Sequence, residues 1–203
     1  MSHVLRSSVA LLLLQAVVSA AEPRVIFQDR FEGKLCVGWT WLRENPQAWR
    51  IKDSGLEIRA EPGAAKNALV CKVPERSKGK LAAEVTITFI TPPTGQFEQA
   101  GITWYRDGQP SFKLVHELID GKTYVIPGRR PTTTRRIQLR LIFNGDSYTA
   151  QFRPESQGEY QTVANGRLPP PGDDRISLQC CNGSPDASHW VRFTNFRLVE
   201  LPE

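Results

Sequence analysis

The sequence predicts an all-β fold, a sandwich of two antiparallel sheets, from three observations. Apolar and polar residues alternate with period two over most of the chain. Short alternating runs recur at roughly 8–12-residue spacing, between links rich in Pro, Gly and Asp. No segment shows a sustained helical period with capping residues at its ends. Together these features favour sheets that each bury one face.

The clearest strands lie in the middle and in the second half of the chain. Glu84–Phe89 alternates polar and apolar residues, and Arg136–Phe143 places its apolar residues on one face. Asn144-Gly145 follows the second run, and the alternation resumes over Tyr148–Phe152. Two alternating runs around Asn-Gly are a strong signal of a β-hairpin.

The remaining alternating segments complete the predicted sandwich. Further strands are predicted at Val25–Phe31, Leu56–Ala60, Leu69–Val73, Gly101–Arg106, Ser111–Leu118, Lys122–Ile126, Glu159–Val163, Arg175–Cys181 and His189–Val199. No linker, repeat or low-complexity block divides them, so residues 22–203 are expected to form one domain. We expect its N-terminal and C-terminal strands to lie close together.

The first residues have the plan of a secretory signal peptide, predicted over residues 1–21. A short basic start, Met1–Arg6, precedes the apolar run Val9–Val18 and the small residues Ser19–Ala21. The apolar run is shorter than the roughly 20 residues that span a bilayer. An uncleaved N-terminal anchor is the alternative. No later segment predicts a membrane span, so the expected location is secreted or periplasmic.

The formal net charge of +5 could suggest a nucleic-acid partner. However, the basic residues are scattered along the sequence, and the closest cluster is Arg129-Arg130 with Arg135-Arg136. No recognisable nucleic-acid-binding module accompanies them. The sequence therefore predicts no nucleic-acid partner.

The four cysteines leave the redox chemistry open. Cys36, Cys71, Cys180 and Cys181 permit three complete disulfide pairings, among which the sequence does not choose. Cys180 and Cys181 are adjacent in a strand-like run, so their side chains are expected to point to opposite faces.

The order of the motifs resembles a bacterial family allied to the C-terminal concanavalin A-like domain of β-xylosidases. The residues that carry the resemblance are Phe27–Leu35, Trp39–Pro46, Trp49–Ile51, Gly55–Ile58, Asn67–Val70, Gln99–Tyr105, Phe112–Leu114 with Glu117, Ile137–Leu141 and Val191–Phe196. The resemblance implies a two-sheet jelly roll whose concave face could cradle a glycan. This architecture hosts hydrolases, lyases, lectins and accessory modules, so it predicts the fold and not the activity.

The segment around three closely spaced tryptophans is the first candidate for a ligand groove. In an extended segment Trp39 and Trp41 share one face. Most of these rings are expected in the core, and Trp41 is the ring predicted to lie beside the groove, with Arg43 and Glu44. The alternative for Arg43 and Glu44 is a structural ion pair.

Outward-pointing residues of the central strands are the second candidate. With Phe112 and Leu114 inward, Lys113 and Glu117 point outward together. Arg140 points outward from its own strand, and Tyr105 borders the predicted patch. If these strands adjoin, the side chains form a polar groove suited to a polysaccharide or oligosaccharide. Mutual neutralisation across the sheet is the alternative.

No catalytic motif accompanies these candidates. Glycoside hydrolysis generally uses two suitably placed carboxyl groups, but Glu117 and Asp120 have an odd spacing that places them on opposite faces of a regular strand. The sequence also has no Gly-x-Ser-x-Gly nucleophile elbow. A non-catalytic module is therefore favoured. A glycan-active hydrolase or lyase with an unrecognised site and a protein-interaction module remain alternatives.

The resemblance also implies a structural calcium ion near the joined termini. Asp29 and Asn195 occupy the corresponding terminal motifs. Calcium takes about six to eight oxygen ligands. The closing motif here reads Thr194-Asn195-Phe196, with an amide where the family has a carboxylate.

Overall fold

A computed structural model describes residues 22–76, 79–154 and 158–202. The predicted signal peptide, residues 1–21, lies outside the described residues. The strands are β1 Arg24–Asp29, β2 Trp39–Leu42, β3 Trp49–Ile51, β4 Leu56–Ala60, β5 Ala68–Lys72, β6 Leu81–Phe89, β7 Gln99–Arg106, β8 Gln109–Ile119, β9 Lys122–Ile126, β10 Arg130–Thr132, β11 Arg136–Asn144, β12 Ser147–Pro154, β13 Gln161–Arg167, β14 Asp174–Cys181 and β15 His189–Glu200. One turn of 3-10 helix, Pro46–Ala48, connects β2 and β3.

The strands form two antiparallel sheets. Sheet A has the order β13-β12-β11-β6-β15-β4-β3, and β1 also pairs with β15. Sheet B has the order β10-β9-β8-β7-β14-β5-β2. The predicted all-β sandwich of two antiparallel sheets is confirmed. No helix in the described ranges is long and apolar enough to cross a membrane.

Because apolar and polar residues alternate in the sequence, each strand directs its apolar side chains into the space between the sheets. Val85 and Leu139 of sheet A and Ile102 and Leu178 of sheet B are fully buried in one hydrophobic cluster. Their neighbours along each strand point outward, because successive side chains of a strand alternate between the two faces. The outward residues of each sheet therefore form a separate surface on each side of the sandwich.

Tight turns set the register of the hairpins. Gly145 and Asp146 connect β11 to β12, so the Asn-Gly hairpin predicted from the sequence is confirmed. Asp107-Gly108 and Asp120-Gly121 each have positive φ at both residues. That backbone suits a two-residue hairpin turn, and Gly adopts it without a steric penalty.

The termini meet in sheet A, as the sequence predicted. β1 pairs antiparallel with the end of β15, from Arg24 opposite Glu200 to Asp29 opposite Phe196. The register of β15 shifts between Thr194 and Arg197 where it pairs with β6. The structure has three strands that the sequence did not predict, β2, β3 and β10. In addition, β13 runs from Gln161 to Arg167, whereas the sequence predicted Glu159–Val163.

Candidate functional site

The tryptophan-rich segment is structural over most of its length. Trp39 and Trp41 both pack against the core from β2, which confirms their shared face. The Trp41 and Trp49 rings lie 4.9 Å apart between the edge strands of the two sheets. The structure therefore corrects the predicted position of Trp41, because its ring faces the core side of sheet B and not the outer surface.

Arg43 and Glu44 have separate partners and do not form the structural ion pair considered above. Arg43 has φ of 56°, so the chain turns at this residue. Its guanidinium donates to the Tyr105 hydroxyl at 3.1 Å and to the Ala65 carbonyl at 3.3 Å. Glu44 accepts a hydrogen bond from Trp49 Nε1 at 3.0 Å. Only Arg43 of this pair reaches the outer surface of sheet B.

The outer surface of sheet B is referred to here as the polar face. Its members are Arg43, Gln99, Thr103, Tyr105, Lys113, Glu117, Tyr124, Ser177 and Gln179. Tyr105 donates to Gln179 Oε1 at 2.9 Å, and the Ser177 hydroxyl donates to the same oxygen at 3.1 Å. Because Arg43 also donates to Tyr105, these side chains form one hydrogen-bonded chain.

A second chain of hydrogen bonds joins β7 and β8. Lys113 Nζ donates to Gln99 Oε1 at 2.8 Å and forms an ion pair with Glu117 at 3.3 Å. Gln99 Nε2 donates to the other Glu117 oxygen at 3.2 Å. The predicted neighbours Lys113 and Glu117 are therefore together on one face, and Gln99 connects them. Tyr124 lies directly across from Glu117 on β9.

The polar face is recessed. Tyr105 is 1% exposed and Ser177 is fully buried, although both point away from the core between the sheets. The Tyr105 ring packs against Ala68, Val70 and Leu42, which supply an apolar side to the same surface. Polar groups beside an apolar wall are the usual composition of a small-molecule site.

Arg140 is not part of the polar face, which corrects the adjacency predicted from the sequence. Its strand, β11, belongs to sheet A, whereas β7 and β8 belong to sheet B. Arg140 forms an ion pair with the buried Glu84, which also binds Arg197 at 2.5 Å. The Arg140 guanidinium lies over the Tyr160 ring at 4.0 Å.

The predicted calcium ligands do not fit a calcium ion. The Asp29 carboxylate accepts hydrogen bonds from the backbone amides of Phe31 and Cys36 and from Trp39 Nε1, at 2.6 to 2.9 Å. Those donors occupy the oxygens that a cation would need. Asn195 is exposed at a strand irregularity with φ of 53°. No group of three or more His, Cys, Asp or Glu suited to a metal occurs in the described part of the chain. Asp29 fixes the loop that precedes β2.

Glu117 and Asp120, the nearest acidic pair considered in the sequence, do not form a catalytic pair in the structure. Glu117 is on the polar face, whereas Asp120 lies in the β8–β9 turn, where it accepts from Gln96 at 3.0 Å. His116, next to Glu117, points into the core against Phe89, and neither ring nitrogen has a hydrogen-bond partner in the described structure. Burial lowers the pKa of His116 to about 4. His116 is therefore placed for packing and not for proton transfer on the polar face.

The cysteines are free thiols. Cys180 is buried in the core and Cys181 is on the outer side of sheet B, which confirms their opposite orientation. Burial raises the pKa of Cys181 to about 11. Its thiol is therefore protonated near neutral pH and is a weak nucleophile.

A cleft of about 650 Å³ lies elsewhere, at one end of the sandwich. Its charged base consists of Arg76 and Asp174, which form a buried ion pair at 2.9 Å. Asp174 also accepts from Trp104 Nε1 at 3.1 Å, and Arg76 donates to the Pro169 carbonyl at 2.9 Å. Because Arg76 and Asp174 neutralise each other, we prefer the polar face as the candidate site.

Sequence reasoning missed five members of the polar face: Gln99, Thr103, Tyr124, Ser177 and Gln179. A signal for two of them was present. Ile176, Leu178 and Cys180 alternate with Ser177 and Gln179, so the predicted strand Arg175–Cys181 already placed both polar side chains on its outer face. The sequence did not indicate that β14 is the neighbour of β7, and this pairing is known only from the structure.

No protein-family model matches the sequence, and no curated protein matches it. Solved structures share the fold. A GH43 protein of Bacillus licheniformis superposes with a TM-score of 0.71 at 16% identity, over 85% of this chain and 39% of that chain. A xylan β-1,4-xylosidase of Bacillus halodurans gives 0.65 at 14% identity, over 92% and 41%.

A third structure, the carbohydrate recognition domain of Emp47p, gives a TM-score of 0.57 at 10% identity, over 86% of this chain and 94% of that chain. The chain thus spans about two fifths of the length of the two bacterial proteins. At these identities the similarity concerns the fold. The predicted resemblance to the β-sandwich domain of β-xylosidases is confirmed at that level.

Proposed function

We propose that residues 22–203 form a non-catalytic module that binds carbohydrate through the polar face of sheet B. One observation carries the proposal: a recessed sheet surface presents two preformed chains of hydrogen-bonded side chains, centred on Tyr105 and Gln99. Fixed donors and acceptors bind hydroxyl groups with a small loss of side-chain entropy.

The composition of the face suits a neutral sugar. Gln179 and Ser177 supply amide and hydroxyl groups, and Lys113 neutralises Glu117. Leu42, which is half-buried beside the Tyr105 ring, adds an apolar side that can contact the C–H groups of a sugar ring. Tyr124 is half-buried beside Glu117, with the Arg129 guanidinium 5.1 Å from its ring centre, and its free edge is the aromatic surface proposed in place of Trp41.

The non-catalytic assignment follows from the carboxylates. Glu117 is the single carboxylate among the residues that define the polar face, and it is held by Lys113 and Gln99. General acid–base cleavage of a glycoside usually uses two carboxyl groups about 5 to 9.5 Å apart. The similarity to a carbohydrate recognition domain supports binding, and the similarity to part of two larger bacterial proteins suits a module.

The test is retention by neutral glycans. Affinity electrophoresis through xylan, arabinan and β-glucan would be run with the parent protein, Gln179→Ala and a control, Gln151→Ala. Gln151 is a half-buried glutamine on β12 of sheet A, so its loss leaves the polar face intact. We expect retention to be lost in Gln179→Ala and kept in the control. Absence of retention by the parent would contradict the proposal, and release of reducing sugar would favour the enzyme alternative.

Export is a second part of the proposal. We propose that residues 1–21 are removed during secretion, because their sequence has the plan of a signal peptide. N-terminal sequencing of protein recovered outside the cytoplasm should begin at Ala21 or Glu22. A sequence that begins at Met1 would contradict cleavage.

A further inference from the structure

The outer surface of sheet A brings together arginines that are far apart in the sequence, and it is referred to here as the arginine face. Its members are Arg50, Glu57, Glu84, Thr88, Arg136, Arg140, Arg153, Arg192 and Arg197. Six arginines oppose two glutamates on this surface. Positive charge is therefore concentrated on this face, although the arginines are scattered along the sequence.

The glutamates of this face are already saturated. Glu84 lies between Arg140 and Arg197, and its side chain is fully buried. Glu57 is 1% exposed and lies between Arg50 and Arg192. Because Glu84 is shared by two guanidinium groups, its triad retains a net positive charge. The Glu57 group is balanced, because Arg192 also forms an ion pair with Asp53 at 3.2 Å.

One end of the arginine face forms a cleft of about 370 Å³. Thr88 lies on the cleft floor, directly across from Arg192 on one side and Arg136 on the other. Arg135, Thr134, Phe89 and Ile90 also line the cleft, and none of the described residues that line it carries a carboxylate. The Arg135 guanidinium donates to the Ile90 carbonyl at 3.3 Å.

Two of the three arginines that line this cleft lack counterions, whereas Arg192 pairs with Glu57 and Asp53. Neither Arg135 nor Arg136 has a carboxylate partner among the described residues. Guanidinium groups bind carboxylates and sulfates through paired N–H donors. We propose that this cleft binds the carboxylate or sulfate group of an anionic polysaccharide whose chain continues along the arginine face.

The extent of the face favours a polymer over a free ion. Arg136 and Arg140 are four residues apart on β11, which places them roughly 13 Å apart along the strand. A ligand that reaches both positions must be extended and must repeat its negative charge.

The aromatic rings of the face favour a polysaccharide over single-stranded nucleic acid. Arg50 lies over the Trp190 ring at 4.1 Å, and Tyr160 lies beneath Arg140 at 4.0 Å and Arg153 at 4.4 Å. Guanidinium groups thus cover the ring surfaces on which unstacked bases would otherwise bind. This site is independent of the neutral-glycan site, which is on the opposite sheet.

The experiment compares two double variants with the same loss of charge. Arg135→Gln/Arg136→Gln removes the unpaired arginines of the cleft. Arg129→Gln/Arg130→Gln removes two exposed arginines next to β9 and is the matched control. Binding to polygalacturonate, to dextran sulfate and to uncharged dextran would be measured by affinity electrophoresis at low and high salt.

We expect the parent and the control to bind one or both charged polymers and not dextran. The cleft variant should bind about tenfold more weakly or worse, the scale expected for lost charge-assisted hydrogen bonds. Binding to polygalacturonate would indicate that the cleft binds carboxylate groups, and binding to dextran sulfate would indicate that it binds sulfate groups. Thr88→Glu, which places a carboxylate between Arg136 and Arg192, should weaken binding without unfolding the protein, as checked by circular dichroism.

Several results would overturn the proposal. Equal losses in the two double variants would show that net charge alone is responsible. An absence of binding by the parent to either charged polymer would exclude the site. Tighter cleft-dependent binding to oligothymidylate or to phosphatidylglycerol vesicles would replace the glycan with a nucleic acid or a lipid. None of these results depends on retention by neutral glycans, so the two proposals can fail separately.

Discussion

On the polar face of sheet B, hydroxyl and amide groups exchange hydrogen bonds around Tyr105 and Gln99. On the arginine face of sheet A, each buried carboxylate is held between two guanidinium groups. Both surfaces lie on the same core and are built from equivalent alternating strands. The chemistry of each surface is therefore decided by its outward residues, which the fold leaves free to vary.

The comparison also separates residues that stabilise the fold from residues that are available to bind a ligand. A buried carboxylate between arginines is costly to disturb, because a charge left unpaired in the interior is unfavourable. Neutral hydrogen bonds contribute less to folding, roughly 0.5–1.5 kcal/mol each. We therefore expect substitutions at the buried carboxylates Glu57 and Glu84 to act first on stability, and those on the polar face to act first on ligand binding.

The largest expected effect is on the Glu84 triad. Glu84→Gln should lower the free energy of unfolding by about 3–5 kcal/mol, because Arg140 and Arg197 would lose their shared buried anion. Urea unfolding at neutral pH measures this change. The control is Glu200→Gln, whose partner Arg24 is largely exposed, and it should cost less than about 1 kcal/mol. Equal costs would remove the distinction between buried and exposed pairs.

The second effect arises beneath the polar face and depends on pH. The pKa of His116 is lowered by burial from 6.5 to about 4, so the ring is neutral in the folded protein. Between those pH values the unfolded chain binds a proton that the folded protein does not. The contribution of His116 to the free energy of unfolding is therefore fully present above about pH 6.5. It decreases by about 3 kcal/mol as the pH falls towards 4.

His116→Leu should flatten this part of the pH profile. Unfolding of the parent and the variant would be compared at several pH values between 7 and 4, and the difference isolates His116 from the carboxylates that titrate in the same range. Parallel profiles for the two proteins would contradict the assignment.

A smaller effect on stability is expected from Tyr105. Tyr105→Phe keeps the buried ring but removes the hydroxyl that binds Arg43 and Gln179. The cost should be about 1 kcal/mol in urea unfolding. Neutral-glycan retention should weaken much more than stability, because the chain of hydrogen bonds loses its centre. An unchanged affinity would place the ligand away from Tyr105.

Much of the fold followed from the sequence, because alternation with period two is a local pattern. Trp39 and Trp41 were assigned to one face, and Cys180 and Cys181 to opposite faces, from their spacing alone. The pairing of β1 with β15 followed from the resemblance of the terminal motifs.

The candidate site was only partly predictable, because a strand pattern does not state which sheet the strand joins. Lys113, Glu117 and Tyr105 lie together, since β7 and β8 are consecutive strands joined by a tight turn. Arg140 was misplaced because β11 joins sheet A beside β6, which is far from it in sequence. Pairing between strands that are far apart in the sequence also brings the scattered arginines together. The sequence alone therefore predicted neither the arginine face nor its cleft.

The smallest expected effect on stability distinguishes a residue that is available to a ligand from one that stabilises sheet A. The Arg136 side chain is exposed and has no hydrogen-bond or ion-pair partner among the described residues, so Arg136→Ala should change the free energy of unfolding by less than about 0.5 kcal/mol. Arg140→Ala should cost more, because it takes one of two cations from buried Glu84. A residue whose loss leaves folding intact but weakens binding to anionic glycan serves recognition and not structure. If urea unfolding instead shows Arg136→Ala to be as destabilising as Arg140→Ala, Arg136 belongs to the structural network of sheet A, and its charge is not free to meet a ligand.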